Sequence, residues 1–266
     1  MYPYVNIAGH EFSSYSLMAI LGMLVSFFVV LVRAHRKKLG VEDHLYFIAF
    51  VLIFTVLGAK ALYQIQHLSE LWTYREDIFA NLQSILNYFG GGFVFYGGLI
   101  GGCLGAVFYA RYFHTDAVAI AQNFIAVIPL FHCFGRIGCF LAGCCYGIPY
   151  QGPLSVTFTQ ALGGPNGVGL FPVQLLEAAL NLVIFIFLLR MDGKFQKPLQ
   201  NFGVYLLCYG AARFFLEFLR GDTVRGVWIF STSQWISLLA ILPLGIYMTV
   251  CSPRKNLILK SLLYQA

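Results

Sequence analysis

Seven stretches of mostly apolar residues, each about the length that crosses a bilayer as a helix, leave this chain few folds to choose from. They run from about Ser14–Val32, Leu45–Gln66, Asn87–Phe113, Asp116–Leu141, Pro172–Arg190, Phe202–Leu219 and Ser233–Cys251. Backbone amides in hydrocarbon must be satisfied within the segment, so such stretches become helices. Of the 266 residues 59% are hydrophobic and only 11% charged, well under the roughly one quarter of a soluble domain. The expected fold is an all-α, seven-span membrane bundle in a single domain, residues 1–266. The first residues lack a basic stretch followed by an apolar core and a small-residue cleavage site, which argues against a cleaved signal peptide.

Lysine and arginine set the orientation. One side of the expected bundle carries Arg33, Arg36, Lys37, Lys38, Arg111, Arg190, Lys194, Lys197, Arg254, Lys255 and Lys260; the other carries Arg75, Arg220 and Arg225. The basic-rich side is cytoplasmic by the positive-inside rule, so the N-terminus is expected outside and the C-terminus inside. The same distribution explains the net charge of +6 without a nucleic-acid partner. Spans running outward then place Lys60, Arg136, Arg213 and Glu217 in the outer half. Spans running inward bring Tyr15, Tyr96, Gln174, Glu177 and Gln234 to the same depth. The inner halves read as nearly uniformly apolar, and the polar level reads as a cavity open to the outer leaflet.

The segment His132-Cys-Phe-Gly-Arg-Ile-Gly-Cys-Phe-Leu-Ala-Gly-Cys-Cys-Tyr-Gly147 ends the fourth run with an arginine, four glycines and four cysteines. An arginine inside a span is a functional hypothesis by default. The Arg136 guanidinium suits a phosphate, although it also suits an ion pair with Glu177 or a reach to the interface. In Tyr209-Gly-Ala-Ala-Arg213-Phe-Phe-Leu-Glu217-Phe-Leu-Arg220, helical spacing puts Tyr209, Arg213, Glu217 and Arg220 on one polar stripe. That stripe is either an anion site or an internal ion pair that locks packing. Gly90-Gly-Gly-Phe-Val-Phe-Tyr96-Gly-Gly98-Leu-Ile-Gly-Gly102 permits close helix contact or a re-entrant segment. Gln174 and Glu177 face one way and are expected to support the site from behind, and Lys60 is expected to reach the outer interface. Cys139, Cys144 and Cys145 read foremost as small apolar residues at a crowded helix end, with a disulfide and zinc as the alternatives; no metal or cofactor is expected.

These motifs, in this order, resemble the prolipoprotein diacylglyceryl transferase family over nearly the whole chain. Phe95-Tyr96-Gly-Gly-Leu-Ile-Gly is similar to its glycine-rich segment, Gly135–Gly143 with Gly147 to its signature, Phe171-Pro-Val-Gln-Leu-Leu-Glu177 to its Pro-Ser-Gln-Leu-Tyr-Glu segment, and Tyr209–Arg220 to its late arginine helix. The resemblance implies transfer of a diacylglyceryl group from phosphatidylglycerol to the lipobox cysteine of a prolipoprotein, in the bacterial cytoplasmic membrane, with the active site toward the outer leaflet. It assigns Arg136 and Arg213 to the headgroup phosphate and Glu217 to orienting Arg213. Tyr15, Tyr209, Gly147, Gly98 and Cys139 take substrate-binding places. The family usually has His where this chain has Tyr96, Asn at Cys139 and Ala142, and an acidic residue near Cys144. Tyr96 therefore takes the general base's place, with an ordinary phenol pKa of about 10 against it. Two alternatives follow from these departures: a lipid transferase with another acceptor, and a non-enzymatic lipid-binding or redox membrane protein. A channel is disfavoured because the polar residues stop halfway.

Overall fold

The computed structural model describes residues 2–7, 9–90, 92–197, 199–222 and 228–251. Arg225, Arg254, Lys255 and Lys260, which entered the charge asymmetry, lie outside the described residues. The chain is a mostly helical, multi-pass membrane protein. Six of its described helices are long and apolar enough to cross a membrane: Ser14–Arg36, Val41–Gln66, Ala117–Ala142, Val173–Arg190, Gln200–Leu219 and Thr232–Cys251. Each matches an expected span within a few residues. The remaining expected span, Asn87–Phe113, is divided. A short helix, Leu82–Gly90, ends at the glycine run, and a second helix, Phe95–Phe113, starts after it. Consecutive glycines cost helix stability at each position, which is why the break falls there.

The described residues form two compact units, those within 34–120 in one and those within 2–33 and 121–251 in the other. In the first, Val41–Gln66 and Phe95–Phe113 pack backbone to backbone. Gly97, Gly101 and Gly105 recur every fourth residue. A Cβ built on Gly101 would sit 2.1 Å from the Phe54 carbonyl oxygen, and one on Gly97 2.4 Å from that of Gly58. The glycine-rich segment thus serves close helix contact in the small-xxx-small manner. Aromatic rings of Phe50, Phe54, Phe108, Tyr109 and Phe113 close the remaining contact.

Most of the other long helices lie in the second unit. Ala117–Ala142 is interrupted: Ala117–Ile125 ends, and Ile128–Ala142 begins with Pro129 in its first turn, where the missing N–H costs little. Beside it runs Val173–Arg190, which packs Ile184 and Leu188 against Tyr205 of Gln200–Leu216. The last helix starts with a capping box, in which Ser231 Oγ accepts from Gln234 N and Gln234 Oε1 accepts from Ser231 N. Two short antiparallel hairpins were not anticipated, Tyr4–Ile7 with His10–Ser13 and Val156–Thr157 with Gly169–Leu170. The first turns at Gly9, whose φ of +85° suits glycine, and Asn6 Oδ1 accepts the Gly9 amide.

One charge of the sequence reading needs correcting. Arg33, read as a loop charge, is buried. Its Nε donates to Asn123 Oδ1 at 2.8 Å and its Nη2 pairs with Asp192 at 3.1 Å, while Asn123 Nδ2 donates to Val30 O. One Asn inside a long apolar run barely moves its hydropathy, so the pattern hid this cluster.

Candidate functional site

The second unit gathers most of the singled-out residues around one buried carboxylate. Glu177 lies in the second turn of Val173–Arg190 with its side chain only 2% exposed. Arg136 Nε lies 3.0 Å from Glu177 Oε1, Tyr209 OH donates to the same oxygen at 3.4 Å, and His132 Nε2 stands 3.8 Å away. His132 and Arg136 are four residues apart, on one face of Ile128–Ala142. The His132 ring also rests 4.9 Å from that of Tyr209, and Tyr209 stacks on Tyr205. Glu177, expected behind the site, is therefore its hub, and the ion pair with Arg136 that the sequence left open is formed. Gln174, one turn earlier, donates to Cys144 O at 2.8 Å and so holds the end of the Arg136 helix.

Arg213 is the second cation. Its Nη2 pairs with Glu217 Oε2 at 2.7 Å and donates to Ser233 Oγ at 3.2 Å. Its Nη1 is buried with no hydrogen-bond acceptor among the described residues. A buried guanidinium nitrogen in that state is costly, and an anion would satisfy it. The expected four-residue stripe is only partly realised. The α-helix ends at Leu216, Glu217–Leu219 form a 3₁₀ turn, and Arg220 is extended. Arg220 thus leaves the stripe: it lies 3.9 Å from Glu217 but binds Asp222 through Nε at 3.0 Å and Nη2 at 2.7 Å. The i,i+4 spacing could not show where the helix stops.

Arg220 also forms a β-bridge with Gly147, and Ile148 N donates to Leu219 O. Gly147 is hemmed in by backbone: a Cβ there would meet Phe171 O at 2.2 Å and Leu219 O at 3.0 Å. Its absent side chain lets three segments meet, those of the signature, the Gln174 helix and Arg220. Tyr15 is half exposed at the start of Ser14–Arg36 and lies against Gly138. Buried Cys139 lies one turn after Arg136, where its sulfur joins those of Cys144 and Cys145, all within 4.8 Å of one another. All seven cysteines are free thiols, so the expected disulfide alternative is not formed. The Cys145 thiol is held well below the usual range because Cys139 and Cys144 hydrogen-bond to it and because Arg220 and Arg136 lie near. The Arg220 guanidinium is pushed up, its ion pair with Asp222 outweighing the burial that opposes it.

Tyr96 and Gly98 belong to the other unit, at the start of Phe95–Phe113. Tyr96 is exposed, whereas Gly98 is buried against Thr55 and Ala59. In the same unit Lys60 donates to Gly90 O at 2.9 Å and lies over the Phe93 ring. The sequence reading did not place His132 beside Glu177. The available signal was its spacing of four from Arg136.

A sequence profile of the prolipoprotein diacylglyceryl transferase family matches residues 3–251. Three curated relatives are similar over most of both chains. A phosphatidylglycerol–prolipoprotein diacylglyceryl transferase of Clostridium tetani is 36% identical, covering 91% of this chain and 94% of its own. A second such transferase, of Clostridium perfringens, is 32% identical, covering 89% and 90%. One from Geobacter sulfurreducens is 31% identical, covering 93% and 94%.

Proposed function

Since the chain belongs to the prolipoprotein diacylglyceryl transferase family, we propose that it transfers the diacylglyceryl group of phosphatidylglycerol to the lipobox cysteine of a prolipoprotein. The buried, unmatched Nη1 of Arg213 carries the reading, because it offers a fixed donor to an anion such as a phosphate. In the reaction the acceptor thiol loses its proton, its sulfur attacks the glyceryl carbon bearing the phosphate oxygen, and that C–O bond breaks. The products are a thioether and glycerol phosphate. Negative charge grows on the departing phosphate, so donors preset around it lower the barrier. Arg136, fixed through Nε by Glu177, and Arg213, fixed through Nη2 by Glu217 and Ser233, would be those donors. Tyr15, Tyr209, Gly147 and Cys139 would shape the place of the lipid.

Two groups compete for the thiol proton. Tyr96 stands where the family usually has His. His132 is an imidazole already beside Glu177 and Tyr209, and imidazole is the side chain most often used to move a proton in a reaction. The arrangement is read as seven spans, with Phe95–Phe113 as the one added to the six, the N-terminus outside, and the site facing the outer leaflet of a bacterial cytoplasmic membrane. The functional test is substitution in a purified assay. Arg213→Ala and Arg136→Ala should each lower transfer at least 100-fold, since each removes a charge-assisted donor worth about 3–4 kcal/mol. Arg213→Lys should rescue little, because a point charge does not replace a fork. Intact transfer in both alanine variants would sink the proposal.

A further inference from the structure

Three thiols converge at the end of the Arg136 helix, and the transfer reaction uses none of them as its nucleophile, because that sulfur comes from the acceptor. Cys139 is in the last turn of Ile128–Ala142. Gly143 follows with φ +72° and Cys145 with φ +54°, and these two left-handed residues fold the chain back on itself. The result is a triangle of sulfurs no more than 4.8 Å apart. An ion bound to three sulfurs at about 2.3 Å each holds them roughly 4 Å apart, so the triangle needs only a small contraction to close on one. Cys139 is buried, while Cys144 and Cys145 are half-buried, which leaves a way in from the loop side. The Arg220 guanidinium stands against Cys145 and offsets the negative charge that three thiolates accumulate. Sulfur-only donor sets select soft ions over hard ones.

We propose that Cys139, Cys144 and Cys145 form a binding site for a single thiophilic d10 metal ion, zinc or cuprous copper. Binding replaces three S–H protons by three metal–sulfur bonds and releases the protons to solvent, with no change of oxidation state. Zinc would complete its four-coordinate shell with a water, and cuprous copper would remain three-coordinate. The ion would tie the loop carrying Gly147 to the end of the Arg136 helix, reinforcing the hydrogen bond from Gln174 to Cys144 O. This inference does not depend on the transfer reaction, and its test does not read activity.

The test uses the full chain, purified in detergent under reducing conditions and stripped with a chelator. Zinc sulfate and, anaerobically, cuprous ion are added in separate arms, and metal per chain is measured after desalting. Retention of about one equivalent in either arm is expected, and the arm identifies the ion. Thiol alkylation is then followed by peptide mass. The ion should slow alkylation of Cys139, Cys144 and Cys145 at least tenfold and leave exposed Cys103 and Cys251 unchanged. Cys145→Ser should drop retention well below stoichiometric. Should that variant fail to fold, the alkylation pattern of the unaltered chain decides alone. Less than about a fifth of an equivalent in both arms, alkylation indifferent to metal, or a cluster that forms a disulfide in place of holding an ion would each overturn the proposal.

Discussion

Neutralising Glu177 should destabilise this protein more than removing the ion pair altogether. Glu177 is 2% exposed and Arg136 15%, and they meet at 3.0 Å. In Glu177→Gln, Arg136 stays charged and buried without its counter-ion. Breaking a buried pair from one side costs about 3–5 kcal/mol. Tyr209 loses a charged acceptor as well, but at 3.4 Å that bond is long and adds little. Replacing both members by apolar residues of similar size, Arg136→Met with Glu177→Leu, removes the stranded charge and is near neutral in comparable buried pairs. The double variant should therefore be more stable than Glu177→Gln by about 2 kcal/mol or more, despite carrying two substitutions. The assay is the fraction remaining folded and monodisperse in detergent, followed against temperature and against denaturing detergent. A Glu177→Gln protein as stable as the parent, or a double variant that falls further than the single one, would refute this reasoning.

Gly101→Val should separate Val41–Gln66 from Phe95–Phe113, since a Cβ at 2.1 Å from Phe54 O is over 1 Å inside the normal contact of about 3.3 Å; loss of folded yield is expected, and normal yield would contradict the packing. Gly147→Ala, with a Cβ 2.2 Å from Phe171 O, should abolish transfer while leaving helical content by circular dichroism nearly intact, because the clash is in a loop. Ser231→Ala should cost about 1 kcal/mol by removing the acceptor for Gln234 N, read in the same detergent denaturation. His132→Gln should lower transfer far more than Tyr96→Phe if the imidazole takes the thiol proton, and the reverse order would assign the base to Tyr96.

Much of this was legible in the residues. Apolar length located six helices to within a few residues, because hydrocarbon leaves the backbone no other choice. The arginine and glutamate positions pointed to charges that the fold does pair inside the spans, as expected of charges too expensive to leave alone there. Pairing was less legible. Helical spacing put Arg220 in line with Arg213, but the helix ended at Leu216 and Arg220 turned to Asp222. Glu177 and Arg136 come from different helices, and which oxygen meets which nitrogen depends on packing that no local pattern encodes. The three sulfurs are five and six residues apart, and only the left-handed turn through Gly143 and Cys145 brings them together. The Arg33 cluster was hidden for the opposite reason, because one Asn is lost in the average of a long apolar window.

The central claim is that this chain moves a diacylglyceryl group onto a thiol. The direct measurement combines the purified protein, phosphatidylglycerol and a peptide bearing a lipobox cysteine, read by intact mass. The account predicts a gain of one diacylglyceryl group on that cysteine, with glycerol phosphate released in equal amount and the gain lost in Arg213→Ala. An unmodified peptide with phosphatidylglycerol bound but never consumed would contradict it.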